Sequence, residues 1–325
     1  MARRQVCCSV LAWAKRWGIP ALFASLALIS PALTLAQEIV PPYAEEYLLT
    51  VLPSPPGVPV SYGGMVFMPG NSNVLLVGGE ANGPEGALYA IDVIRDSGDH
   101  VVGFAGSASM AIDAPYVNGG VTYHTSGVLF LARYPVNEIG QVRVGSSTTD
   151  KVVSLSSFDI VGSPGGLTFV PFGFPGFNEL KMITYSSGGW YTVHLVPDGG
   201  GLLDVTDVTY DGFVDSGADA FAYVPPGSPL FVDYRSILVA NWNAGTVTAY
   251  ELDDDGNPIW YTRSVFLTGL RAAEGIVADP VTGDFLVSTA SLGFGYANKI
   301  VVIRGFPGPI GVEAWSWAEV KSLYR

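Results

Sequence analysis

The sequence predicts an all-β fold, a single β-propeller of four-stranded antiparallel blades, and three observations carry that expectation. Of the 325 residues, 49% are hydrophobic and 14% charged, with 40 glycines and 23 prolines, which excludes disorder, whose signature is low hydrophobicity with high charge. Between residues 38 and 306 no long amphipathic helical pattern occurs; short runs of Val, Ile, Leu, Tyr and Phe are separated by Gly, Pro, Asn and Asp, the mark of strands and turns. These runs also repeat.

The first unit opens Gly63-Gly64-Met65-Val66-Phe67-Met68-Pro69, turns through 70–73 and resumes at 74–77. The second opens Gly119-Gly120-Val121-Thr122-Tyr123 and resumes at 128–131. The third opens Gly165-Gly166-Leu167-Thr168-Phe169-Val170-Pro171 and resumes at 180–183. The fourth opens Asp219-Ala220-Phe221-Ala222-Tyr223-Val224-Pro225 and resumes at 236–239. The fifth opens Glu274-Gly275-Ile276-Val277-Ala278-Asp279-Pro280 and resumes at 285–288. Each unit leaves room for two further strands, at 87–91, 141–144, 191–195, 246–251 and 299–303. Four strands per repeat of about 40–50 residues is the pattern of a propeller blade.

The glycines that open first strands suit a crowded central channel, where backbones approach closely. The fifth unit runs out of strands after Ile303, and the segment 46–52 (EYLLTVL) can supply its outer strand. That closure removes the free sheet edges that template aggregation. Five blades are expected, with six as the alternative if the long unit between 64 and 120 conceals a divergent blade. A pair of β-sandwiches is the rival architecture, but sandwiches have no reason to repeat one opening motif five times.

The two ends of the chain read differently. Arg3, Arg4, Lys15 and Arg16 precede an apolar run from Ile19 to Ala36 that Pro20 and Pro31 interrupt, with Thr34 and Ala36 at small-residue cleavage positions. We read residues 1–36 as a secretory signal peptide, residues 37–305 as the propeller and residues 306–325 as a C-terminal tail. Cleavage removes Cys7 and Cys8, both cysteines of the chain, so the exported protein needs neither a disulfide nor a thiol nucleophile. The expected location is periplasmic or extracellular, with no membrane span in the mature chain. The tail holds a short helical pattern in which Trp317, Val320 and Tyr324 share a face, and Trp315, Trp317, Val320, Leu323 and Tyr324 are its candidate docking residues. An excess of 29 acidic over 16 basic residues argues against a nucleic-acid partner, because phosphate contacts need clustered Lys and Arg. An unidentified protein or a carbohydrate is the expected partner.

Two stretches carry a family resemblance. Asn241-Trp242-Asn243-Ala244-Gly245-Thr246-Val247, followed by Tyr250-Glu251-Leu252-Asp253, and Ala273-Glu274-Gly275-Ile276-Val277-Ala278-Asp279-Pro280 resemble blades of the NHL and gluconolactonase-like superfamily of secreted propellers. The resemblance implies a divalent cation at the mouth of the channel, held by a glutamate of a Glu-Gly element, an aspartate and asparagines. On this chain Glu274 matches the Glu-Gly element, Asp219 occupies the equivalent position one blade earlier, and Asn241 and Asn118 are the candidate amide ligands, with calcium or another divalent cation as the cofactor. The chain departs from that pattern at Gly63, Gly119 and Gly165, which carry no ligand atom, and its Glu-Gly element opens the last blade instead of the first. A hard cation such as calcium wants six to eight oxygens.

Other constellations are weaker. Asp253-Asp254-Asp255-Gly256-Asn257 has the composition of a calcium loop but lacks the terminal glutamate, and a polar turn explains it. His124 and His194 are the candidate general bases of a hydrolase, although no Gly-x-Ser-x-Gly elbow accompanies them. Trp190, Tyr191, Trp242, Trp260 and Tyr261 can stack on sugars or pack between blades. The leading functional expectation is therefore an exported module that binds a ligand, glycan or protein without catalysis. A metal-dependent lactonase or ester hydrolase is one alternative. A component of an envelope layer or extracellular complex, docked through the tail, is the other.

Overall fold

A computed structural model describes residues 36–290 and 298–309. The signal segment and the tail pattern lie outside the described residues, as does the expected C-terminal helix.

Five sheets make the ring. Two short strands come first, β1 (Glu38–Ile39) and β2 (Leu48–Val51). Blade 1 follows as β3 (Met65–Met68), β4 (Asn71–Gly79), β5 (Ala87–Arg95) and β6 (Val101–Asp113), and blade 2 as β7 (Val117–Tyr123), β8 (Leu129–Arg133), β9 (Glu138–Val142) and β10 (Lys151–Ser154). Blade 3 is β11 (Pro164–Phe169), β12 (Leu180–Thr184), β13 (Gly189–Pro197) and β14 (Leu203–Phe213). Blade 4 is β15 (Ala218–Tyr223), β16 (Ser236–Asn241), β17 (Thr246–Glu251) and β18 (Ser264–Thr268), and blade 5 contributes β19 (Ala273–Ala278), β20 (Phe285–Thr289) and β21 (Ile300–Arg304). Within each blade the consecutive strands pair antiparallel.

The ring closes as expected. β2 pairs with β21, Leu48 opposite Arg304 and Val51 opposite Val301, and so becomes the outer strand of blade 5. One further strand was not foreseen: β1 adds a fifth strand to blade 4 by pairing Glu38 with Thr268 and Ile39 with Leu267. Two residues are too short for a periodic pattern to show. The long first unit holds no sixth blade. Its extra length lies in β6, which runs 13 residues and bends through register shifts against β5. The first hairpin is also tighter than the sequence indicates. Pro69-Gly70 turns the chain in two residues, Gly70 with φ +77°, and β4 starts at Asn71, not Val74.

The core sits in the seams between blades. One apolar cluster fills the seam of blades 2 and 3 around Phe130, Leu167, Phe169 and Met182. Another fills that of blades 3 and 4 around Ile183, Trp190, Phe221 and Tyr250. The inner strands are therefore covered on both faces, which is why β15, β16 and β20 are buried along their whole length and rich in apolar residues. The N-terminal segment is wedged in by aromatics. Tyr47 packs at 4.6 Å from Phe306 and 5.1 Å from Phe266, and its hydroxyl donates to the Pro229 carbonyl at 2.6 Å.

Candidate functional site

The first strands of the blades meet at the propeller axis, and their openings are packed backbone to backbone. A Cβ built on Gly119 would lie 2.2 Å from the carbonyl oxygen of Asp219 and 2.3 Å from that of Glu274, across the ring in blades 4 and 5. One on Gly275 would lie 2.8 Å from the Gly63 carbonyl. Glycine is required at such approaches because any side chain would occupy the neighbour's backbone. Where three first strands present glycine, β15 and β19 present Asp219 and Glu274, 2% and 0% exposed.

Two amides attend these carboxyls. Asn82, from the turn between β4 and β5, donates its Nδ2 to Glu274 Oε1 at 2.8 Å. Asn118, on β7, donates its Nδ2 to Asp219 Oδ1 at 3.3 Å and to the Pro164 carbonyl at 3.2 Å. Three buried oxygens are left without a hydrogen-bond partner among the described residues: Glu274 Oε2, Asn82 Oδ1 and Asn118 Oδ1. Buried polar atoms are usually satisfied; unmatched ones also occur at Asn137, Asn178, Tyr223, Asp284 and Arg304, but these three belong to the two carboxyl–amide pairs. Burial pushes the Glu274 carboxyl up to about 7. Burial and the neighbouring Glu274 hold the Asp219 carboxyl well above the usual carboxylate range. Two carboxyls in one dry place disfavour a second negative charge.

Three aromatic side chains lie at the same end of the blades. The residue that follows the second strand of blades 2, 3 and 4 is Tyr134, Tyr185 and Trp242, all half-buried. The Tyr185 ring lies edge-on to Tyr134 at 5.1 Å and to Trp242 at 6.4 Å, and its hydroxyl donates to Asn243 Oδ1 at 2.9 Å. Burial, then the charges of Asp219, Tyr134 and Glu274, raise that hydroxyl to about 12, so the ring is within electrostatic reach of both carboxyls. On the same face Arg133 is engaged by Glu138 and by the Pro115 carbonyl at 3.0 Å. Of these groups the sequence singled out Asp219, Glu274, Asn118 and Trp242. Asn82, Tyr134 and Tyr185 were missed, although the aromatic after the second strand recurs in three consecutive repeats and could have been found by aligning them.

The remaining candidates are engaged elsewhere or lie away from the axis, and Asn241, opposite Ala218, is the nearest of them. Asn241 spends its amide on its own turn, donating to the Ser216 carbonyl at 2.8 Å and accepting the Ala244 N–H at 2.9 Å. His124 sits in the turn after β7, at the far end of the strand from Gly119, about 15 Å away at the rise of a strand. There its Nδ1 contacts Ser126 Oγ at 2.8 Å, its ring packs on Phe169 at 5.0 Å, and burial lowers its pKa. His194 is exposed on β13, 2.9 Å from Thr209 Oγ1. The Asp253 carboxylate accepts the N–H groups of Asp255 and Asn257, the ordinary closure of a polar turn. Trp190 is fully buried between blades with its Nε1 on Asn257 Oδ1 at 3.2 Å, whereas Trp260 and Tyr261 are exposed on the outside of blade 4. Trp315, Trp317, Val320, Leu323 and Tyr324 lie outside the described residues. Among the described residues no group of three or more His, Cys, Asp or Glu side chains is placed to hold a metal ion. The axial set is two carboxyls and two amides.

No protein-family model matches the chain, and no curated protein matches it in sequence. Among solved structures it is similar to the calcium-binding protein regucalcin from Agrobacterium tumefaciens, at 15% identity over 81% of this chain and 97% of that one, TM-score 0.43. It is similar to a provisionally assigned gluconolactonase at 11% identity over 84% and 99%, TM-score 0.42. It is also similar to the hydrazine synthase of Kuenenia stuttgartiensis at 11% identity, TM-score 0.38, over 77% of this chain; the match spans 64% of that longer chain.

Proposed function

We propose that this protein is an exported ligand-binding propeller whose site is the axial end of the ring. Asp219, Glu274, Asn82 and Asn118 form the floor, and Tyr134, Tyr185 and Trp242 the rim. The observation that supports this reading is the set of three buried acceptor oxygens with no donor among the described residues. Each buried unmatched polar group costs about 1–3 kcal/mol, and here three sit on two hydrogen-bonded carboxyl–amide pairs. Convergent polar groups beneath an aromatic mouth are the usual make-up of a small-molecule site. The test is ligand-dependent quenching of tryptophan fluorescence in the native protein and in Trp242→Phe. Binding that reports through Trp242 and weakens in Glu274→Gln supports the reading; binding indifferent to both substitutions overturns it.

A metal-dependent lactonase is the second reading, and the chemistry of the donor set favours it. Two carboxylate and two amide oxygens are the kind of ligands a hard divalent cation takes, and three of them are unmatched. A cation held there by Glu274, Asp219, Asn82 and Asn118 would polarise a carbonyl oxygen and acidify bound water. Lactone hydrolysis that requires calcium, stops with chelator and is lost in Glu274→Gln supports this second reading. Hydrolysis that persists with chelator removes it.

A further inference from the structure

The floor of the site has the donor arithmetic of an ammonium group. Asn82 and Asn118 each turn their NH2 onto a carboxyl, Glu274 Oε1 at 2.8 Å and Asp219 Oδ1 at 3.3 Å, and so leave their own carbonyl oxygens bare. With Glu274 Oε2 this makes three unmatched acceptors, each on a side chain with a buried oxygen. A primary ammonium carries three N–H donors and no acceptor. An ammonium brings one N–H for each bare oxygen and sets its positive charge against two carboxyls that otherwise resist ionising together. A divalent cation would need two or more further ligands from backbone carbonyls or water, because Gly63, Gly119 and Gly165 carry no side-chain oxygen.

The rim fits the same ligand. Tyr134, Tyr185 and Trp242 give π faces and edges, with Tyr185 at 5.1 Å from Tyr134 and 6.4 Å from Trp242, at the same end of the ring. Aromatic faces attract cations, tryptophan most strongly, and the attraction grows where water is excluded. Asn243 Oδ1 holds the Tyr185 hydroxyl at 2.9 Å and so fixes that ring in place. Arg133, a basic side chain at this end of the ring, is taken by Glu138 and the Pro115 carbonyl.

We propose that the axial site binds an organic primary ammonium, seated on Glu274, Asp219, Asn82 and Asn118, with its carbon chain or ring against Tyr185 and Trp242. This rests on the reading of the axis as a ligand site and names the class of ligand it takes.

Benzylammonium is the probe, with benzyl alcohol as its neutral counterpart and calcium as the competing cation. Each is titrated into the native protein, Glu274→Gln, Asp219→Asn and Trp242→Ala while the melting temperature is followed. A ligand that binds only the folded state raises that temperature with its concentration. Gln keeps an oxygen for Asn82 and removes the charge, so the fold of this variant, checked by circular dichroism, is expected to be native. The expected result is a shift with benzylammonium and none with benzyl alcohol. The apparent affinity should fall about tenfold or more in Glu274→Gln, the loss that one charge-assisted hydrogen bond carries, and by a smaller factor in Trp242→Ala. Should Glu274→Gln fail to fold, Asp219→Asn and Trp242→Ala decide the matter. A Glu274-dependent shift with calcium and none with benzylammonium overturns the ammonium assignment while leaving the axis a binding site. No shift that depends on any of the three residues overturns both.

Discussion

Arg95 grips both carboxylate oxygens of Asp279, at 2.6 and 3.0 Å, across the seam where blade 1 meets blade 5. Its other donors reach the carbonyls of Asp99 and Ser72, each at 2.7 Å, and Asn73 Oδ1 at 3.1 Å, so the guanidinium is fully used. Asp279 is 0% exposed and also accepts Val281 N–H and Thr282 Oγ1–H. Beside it His100 Nδ1 meets the buried carboxyl of Asp284 at 2.6 Å. This seam joins the blade completed by the N-terminal strand to the first blade of the ring, and it carries a dense polar latch.

Breaking that latch from one side should be costly. Arg95→Met leaves Asp279 buried and uncompensated, and a buried charge stripped of its partner destabilises by about 3–5 kcal/mol. A chain of this size should lose on the order of ten degrees in melting temperature, measured by calorimetry. A change of a degree or less would show that the pair is not holding the seam.

Gly119→Ala is expected to be far worse than its chemistry suggests. The new methyl would fall on the carbonyls of Asp219 and Glu274, backbone atoms that cannot swing away. Overpacking a core costs about 1–3 kcal/mol when side chains can yield, and here none can. Gly103→Ala is the control, since its Cβ meets nothing nearer than Pro53 Cγ at 3.8 Å. Urea unfolding of the two variants should separate them by at least about 2 kcal/mol; equal midpoints would refute the close approach.

Strand β2 should be indispensable. Without residues 1–52, β21 becomes an open edge, and unpaired edges recruit other chains. The truncated chain is expected to aggregate on gel filtration, and a synthetic peptide of residues 46–52 to restore a monomer. A truncated chain that is monomeric and melts as the intact one does would show that the ring closes without it.

The Glu274 carboxyl, raised to about 7, predicts a pH dependence of stability. Between its ordinary value and about 7 the folded chain binds a proton that the unfolded chain has released, so stability falls as pH rises through that window. This contribution is fully present below the ordinary carboxylate range and gone above about pH 7. The native protein should therefore lose melting temperature relative to Glu274→Gln between about pH 5 and about pH 8. A difference that stays constant over that range would mean Glu274 titrates as an ordinary carboxylate.

Much of the architecture was legible in residue order because it depends on local rules. Apolar runs with Gly and Pro between them specify strands and turns, and the opening Gly63-Gly64, Gly119-Gly120 and Gly165-Gly166 pairs announce close backbone approach before any contact is seen. The repeat even exposed the gap after Ile303 that 46–52 fills. Strand β1 escaped because two residues have no period, and the start of β4 because Pro69-Gly70 turns more tightly than Asn71-Ser72-Asn73 suggested.

The site divides along the same line. The sequence by itself determined that Asp219 and Glu274 occupy positions where other blades have glycine, because the repeat aligns them. Only the tertiary structure decided that Asn82 and Asn118, drawn from blades 1 and 2, turn their amides onto those carboxyls in blades 4 and 5, and that Asn241, adjacent in composition and motif, serves its own turn instead. It likewise set Tyr134, Tyr185 and Trp242 side by side and His124 at the opposite end of its strand. The reason is physical: strand periodicity fixes which residues open a blade, but a hydrogen bond between residues 192 positions apart, as Asn82 and Glu274 are, exists only once the ring has closed.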